Sequence, residues 1–196
     1  DTIKLHPSFG TVTINNSGSI TSSKDRTINF GQQANAGTII NSGTISVRAN
    51  TLYIYSSGTD YSAGTITNSG TISATGGDGI EINNVNDVTI TNTGTISATG
   101  DAIFNIGDNG SNGNIIVNKG TISSGSSNHD LEVTTNVGLE SLTNDQGGND
   151  ALKLDGYLPV NYVFLANSTT DYGKLAVDNQ NGATTFSIST DSSLSA

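Results

Sequence analysis

Isoleucine recurs at two fixed places around a repeating asparagine. Two residues before the Asn stand Ile14, Ile39, Ile66, Ile90 and Ile116, with Leu142 continuing the series; four residues after it stand Ile20, Ile45, Ile72, Ile96 and Ile122. The intervening positions are mostly Thr, Ser and Asn, so apolar and polar residues alternate with the period of a half-buried strand. The indexing residues are Asn16, Asn41, Asn68, Asn92 and Asn118, each opening an Asn-x-Gly turn that leads into Thr or Ser and then Ile. Their spacings are 25, 27, 24 and 26 residues, and a further 26 reaches Asn144 in a degenerate Asn144-Asp145-Gln146-Gly147.

The stretch 64–82 shows the whole unit. Two β-branched runs flank Asn68-Ser69-Gly70, and a second turn at Thr75-Gly76-Gly77-Asp78 leads into Gly79-Ile80-Glu81-Ile82. Three strands and two turns hold too few apolar side chains for a core of their own, so successive units must stack. Leucine-rich repeats share the period but require a Leu framework and a helical segment, and neither is present. The pattern predicts an all-β chain, a right-handed parallel β-helix (solenoid) of about six coils. Each Ile column then points inward and repeats at about 4.8 Å per coil. Burial of each such side chain contributes roughly 1.5–3 kcal/mol.

Residues 1–145 carry the repeats, and 146–196 read as a last coil plus a C-terminal β cap. Ala151-Leu152-Lys153-Leu154 fits a final coil strand. The runs 160–165, 172–177 and 184–188 follow, and the Asn181-Gly182 turn predicts a β-hairpin that hides the last coil. The opposite end begins with Thr2-Ile3-Lys4-Leu5, the last strand of a coil without an obvious cap. That edge would be covered by upstream coils of the same polypeptide or by head-to-tail contact with another copy. The start at Asp1, without Met or leader, reads as a segment excised from a longer precursor.

Charge narrows the partners. The net charge is −10 and charged residues are only 12 % of the chain. No basic stripe exists to neutralise phosphates, which argues against nucleic acid and against anionic membrane surfaces. No apolar run is long enough for a transmembrane helix. Cysteine is absent, which removes disulfides and thiolate metal sites.

The polar columns read first as structure. The repeating Asn suits tight turns and, stacked in register, forms an amide ladder; the Gly two residues later supplies positive φ or close packing. A second column precedes the third strand: Asp25, Asn50, Asp78, Asp101 and Asp130. Turn chemistry accounts for it, and a Ca²⁺ site is the alternative. Asn50 interrupts the column and each coil offers one carboxylate, so no cofactor and no metal ligand is assigned.

Catalytic chemistry finds few footholds. His6, beside Pro7, and His129 are the only histidines and are five coils apart, so no triad forms. Arg26 and Arg48 share no column with the acids. No catalytic residue is assigned and no enzyme activity is expected. Outward Ser19/Thr21, Thr44/Ser46, Thr71/Ser73, Thr95/Ser97 and Thr121/Ser123 make a hydroxyl grid that suits sugar or ordered water, or simply an exposed strand. Tyr53, Tyr55 and Tyr61 cluster near one loop and either offer faces for sugars or cover an edge.

The repeats Ile66-Thr67-Asn68-Ser69-Gly70-Thr71-Ile72-Ser73-Ala74 and Ile90-Thr91-Asn92-Thr93-Gly94-Thr95-Ile96-Ser97-Ala98 resemble the passenger repeats of bacterial autotransporters (type V secretion). The later Asp171-Tyr172-Gly173-Lys174-Leu175-Ala176-Val177 is similar to the region that follows them. The resemblance implies an extracellular or cell-surface protein of a Gram-negative bacterium. The family's membrane barrel is not seen up to Ala196, which fits an excised passenger or another route out. The expected function is a non-enzymatic adhesive surface stalk or filament subunit. Surface glycans are candidate partners, and a polysaccharide-binding or polysaccharide-active protein is the alternative.

Overall fold

The computed structural model describes residues 3–5, 11–24, 26–30, 37–55, 64–108, 112–146 and 150–193. Among them the regular structure is entirely strand, arranged in three parallel sheets that stack as a β-solenoid of about six turns. The Asn sheet comprises β2 (Thr13–Asn16), β5 (Thr38–Asn41), β8 (Thr65–Asn68), β11 (Thr89–Asn92), β14 (Asn114–Asn118), β17 (Leu139–Asn144), β19 (Asn161–Phe164) and β21 (Thr185–Ile188). The Thr/Ser sheet comprises β3 (Ser19–Ser22), β6 (Thr44–Val47), β9 (Thr71–Ala74), β12 (Thr95–Ala98) and β15 (Thr121–Ser123). The apolar sheet comprises β1 (Ile3–Leu5), β4 (Ile28–Phe30), β7 (Leu52–Tyr55), β10 (Ile80–Asn83), β13 (Ile103–Asp108), β16 (Leu131–Val133), β18 (Leu152–Tyr157) and β20 (Leu175–Asn181).

Register follows the repeat residue by residue. Ile14, Ile39, Ile66, Ile90, Ile116 and Leu142 lie opposite one another up the Asn sheet. Ile20, Ile45, Ile72, Ile96 and Ile122 do the same in the Thr/Ser sheet. From the second turn on these side chains are buried, while Ile14 and Ile20 in the first turn are half-buried against the core. A one-residue slip would turn every Ile to solvent, which is why the pairing is so regular.

The two Ile columns are not most of the core. The apolar sheet adds a third column, Ile28, Leu52, Ile80, Ile103 and Leu131, continued by Leu154. Phe30, Ile54 and Ile82 form a fourth beside it. Parallel sheets buried against one another favour such runs of Ile, Leu and Val.

The C-terminal hairpin cap does not form. β20 pairs parallel with β18, and β21 pairs parallel with β19, so the Asn181-Gly182 turn passes the chain between sheets rather than reversing it. Gly182, at φ 80°, makes the corner. The hydrophobic pattern explains the outcome. Leu175 and Val177 lie opposite Leu152 and Leu154, and Phe186 and Ile188 lie opposite Tyr162 and Phe164, so both runs extend existing inward columns. What does stop is the Thr/Ser sheet, which has no strand after β15 among the described residues. The later turns therefore have two strands instead of three.

Candidate functional site

The predicted Asn column is brought together as one hydrogen-bonded ladder. Nδ2 of Asn16, Asn41, Asn68 and Asn92 donates to Oδ1 of the next Asn at 2.7, 2.8, 2.8 and 2.9 Å. Asn118 continues it to Asn144 at 3.2 Å. Each amide also reaches main chain: Asn68 Nδ2 donates to Gly70 O in its own turn and to Thr95 O in the next. The ladder ends at Tyr162, whose hydroxyl accepts from Asn144 Nδ2 at 3.2 Å and donates to Gly173 O. Tyr162 is buried there, which pushes its phenol above the usual range. Phe164 occupies the register position that Asn holds in earlier turns, so no further amide follows. None of these Asn has positive φ; among the described residues the non-Gly residues that do are Asn84, Asp87 and Asn179. Hydrogen bonding rather than left-handed backbone selects Asn in the column.

The turn glycines answer to crowding. A Cβ on Gly43, Gly70, Gly94 or Gly120 would lie 2.1–2.2 Å from the carbonyl oxygen of the equivalent Gly one turn below. None of the four has positive φ. Of the two roles expected for this Gly, close packing is the one observed.

The second polar column is also spent on the stack. Asn50 Oδ1 accepts from Asp78 N, Asp78 Oδ1 from Asp101 N, and Asp101 Oδ1 from His129 N. Asp130 closes the series by accepting from Ser124 N and Lys153 N. Asp25 lies outside the described residues. Burial pushes the Asp78 carboxyl up, the hydrogen bond from Asp101 N opposes this, and the charges of Asp101 and Glu81 add to the rise. Among the described residues no group of three or more His, Asp or Glu is placed to hold a metal ion. The aspartates here act as acceptors for main-chain N–H groups of adjacent turns.

Beside this column sits a cluster that sequence reasoning had only in part. The Arg26 guanidinium lies 3.6 Å from the centroid of Tyr53, and Tyr53 stacks on Tyr55 at 5.6 Å. Arg26 also faces buried Glu81 at 3.8 Å, and Asn50 Nδ2 donates to Glu81 at 3.0 Å. The basic residue read as remote from the acids thus pairs with one. Sequence gave no signal for this, because Arg26 and Glu81 come from turns two apart. Tyr61 and His6 lie outside the described residues. His129 is half-buried between Asp101 at 3.9 Å and Asp178 at 3.3 Å.

The hydroxyl grid forms the outer face of the Thr/Ser sheet, with Ser73 Oγ donating to Ser46 Oγ at 3.0 Å. Its open edge at β15 is sealed by side chains. Gln146 mimics a missing strand: its Oε1 accepts from Ile122 N at 2.7 Å and its Nε2 donates to Ile122 O at 3.0 Å. Asn118 Oδ1 serves Gly120 N and Asp130 Oδ1 serves Ser124 N on either side. Where the next strand would lie there is a recess of about 550 Å³, lined by Ser123, Gln146, Asp150, Ala151 and Lys153 among others. A second recess of about 430 Å³ adjoins it through Ala151 and is lined by Tyr162, Phe164, Tyr172, Lys174 and Phe186.

No family model, no curated protein and no solved structure matches the chain.

Proposed function

We propose that this chain is a non-enzymatic structural scaffold of the bacterial cell surface, a β-helical stalk that presents adhesive faces. The observation that supports it best is where the polar side chains go. The Asn ladder and the Asp column spend their donors and acceptors on neighbouring turns, so they stiffen the stack instead of facing a substrate. The resemblance of the repeats to autotransporter passengers supports the extracellular placement. A rod of this kind sets a binding face away from its anchor without chemistry of its own. The test is turnover. Purified protein incubated with a panel of polysaccharides should release neither reducing ends nor unsaturated products. Clear product formation overturns the proposal in favour of a polysaccharide-active protein.

Assembly into filaments belongs to the same reading. At the far end of the stack Phe186 is 66 % exposed and Ile188 55 % exposed, although both extend columns that are buried elsewhere. The first turn of a second copy offers half-buried Ile14, which stands in the same column as Phe186.

A further inference from the structure

Beside the end of the Thr/Ser sheet lie two neighbouring recesses that share Ala151 in their walls. Four of the chain's aromatic residues, Tyr162, Phe164, Tyr172 and Phe186, line one of them. Tyr172 and Phe186 are exposed there, at 37 % and 66 %. The other recess presents the Asp150 carboxylate, the Lys153 ammonium, the Gln146 amide and the Ser123 hydroxyl. Among the described residues neither Asp150 nor Lys153 is held in an ion pair. Aromatic planes beside the Asp150 and Lys153 side chains, in volumes of this size, are the ingredients of a small-ligand site.

We propose that this pair of recesses is a cleft for a neutral oligosaccharide. Three arguments select that occupant. An added β-strand is disfavoured, because Gln146 already satisfies both main-chain groups of Ile122 that a strand would use. A polyanion is disfavoured by a chain of net charge −10. A purely apolar ligand would strand the polar groups of the first recess against hydrocarbon, at a cost in unmade hydrogen bonds. A sugar satisfies both halves. Its C–H faces lie on Tyr172 and Phe186, and its hydroxyls accept from Lys153 and donate to Asp150. The Lys174 ammonium, 5.1 Å from the centroid of the Tyr172 ring, lies in the wall of the same recess. The cleft deepens the adhesive reading by giving the stalk a partner class and a place for it.

The experiment is titration of the full chain with hexaoses of cellulose, starch and chitin, and with oligogalacturonate as the acidic control, by calorimetry and amide NMR. A neutral hexaose should bind, shifting the amides of Tyr172, Lys174 and Lys153. Phe186→Ala, at a largely exposed position, should weaken binding about tenfold or more. Lys153→Gln supplies a second variant whose folding does not depend on the aromatic end, and Ile40→Thr, at an exposed position of the second turn, should leave affinity unchanged. Circular dichroism checks that each variant folds. Absence of binding by every neutral hexaose, binding of the acidic oligomer alone, or affinity indifferent to both cleft variants overturns the cleft. Failure of the cleft leaves the scaffold reading intact, whereas product released during the titration overturns the non-enzymatic reading and not the cleft.

Discussion

Gly94 and Gly18 hold the same place in the repeat and do different physical work. A Cβ at Gly94 would sit 2.1 Å from Gly70 O and 2.7 Å from Ser69 C, both main chain and both pinned by the sheets on either side. A Cβ at Gly18 would meet nothing within 4 Å. Neither residue has positive φ, so conformational strain does not enter. Gly94→Ala must therefore push two turns apart, at the cost of an overpacked core, about 1–3 kcal/mol. Gly18→Ala should be neutral or stabilise by roughly 0.4–1 kcal/mol, because alanine narrows the unfolded ensemble. Urea denaturation of the two variants checks this, and equal effects would sink the crowding argument. The contrast shows what a column means in a solenoid. A residue type recurs because each turn rests on the one below, and the first member of the column escapes the constraint that fixes the others. The Asn column follows the same logic: Asn41, Asn68 and Asn92 each receive one amide and give to the next.

At the scale of elements, strands were legible where the repeat was regular and misread where it faded. The Asn-x-Gly turns and the Ile columns located β2 to β16 because alternation, period and turn residues agreed. The apolar sheet's two inward columns were harder to see, since Leu52, Ile80, Ile103 and Leu131 stand at varying distances from the indexing Asn. The turn between the Thr/Ser strand and the apolar strand absorbs that variation. Asn181-Gly182 carries the local signal of a hairpin, an Asn-Gly pair between two apolar runs. Its partners were non-local: Leu152, Leu154, Tyr162 and Phe164 offered continued columns, and parallel stacking prevailed. The Arg26–Tyr53–Glu81 cluster and the two recesses were illegible for the same reason, as each joins residues from different turns. Gln146 is the most instructive case. In the sequence it looked like decay of the repeat; in the fold its amide closes the edge of the Thr/Ser sheet. Gln146→Ala should cost about 1 kcal/mol, the net worth of a hydrogen bond whose partners water can reach. Its sharper signature is local. The Ile122 amide should exchange about tenfold faster, whereas Ile96, one strand inward, keeps its protection. Unchanged exchange at Ile122 would mean that the edge is sealed by something other than Gln146.

The whole molecule has direction. Ladder donors point from the first turn toward the last, the Asn amides end on Tyr162, and the two ends of the stack differ in kind. Among the described residues the far end presents Phe186 and Ile188 on β21 together with the last strand β20, while the near end presents Ile14, Ile20 and the first strands β1, β2 and β3. Unlike ends that share the columns of the Asn sheet and the apolar sheet make a heterologous contact, and such contacts propagate unless rotation closes a ring. The expected outcome is concentration-dependent fibres one solenoid wide, seen by electron microscopy and by sedimentation. Ile188→Lys places a charge in the contact at a position already 55 % exposed, so it should abolish fibres while leaving the circular dichroism of the coils unchanged. Because Phe186 belongs both to this end and to the aromatic recess, a saturating neutral hexaose should shorten the fibres if both proposals hold. A protein that stays a monodisperse monomer at high concentration, or fibres indifferent to Ile188→Lys, would remove end-to-end stacking and leave the solenoid as an isolated rod. The Tyr162 stop makes the test discriminating. It ends the amide ladder before the terminal turn, so any fibre must be held by apolar columns and strand edges, and its stability should fall on cooling as hydrophobic contacts weaken rather than track the salt concentration.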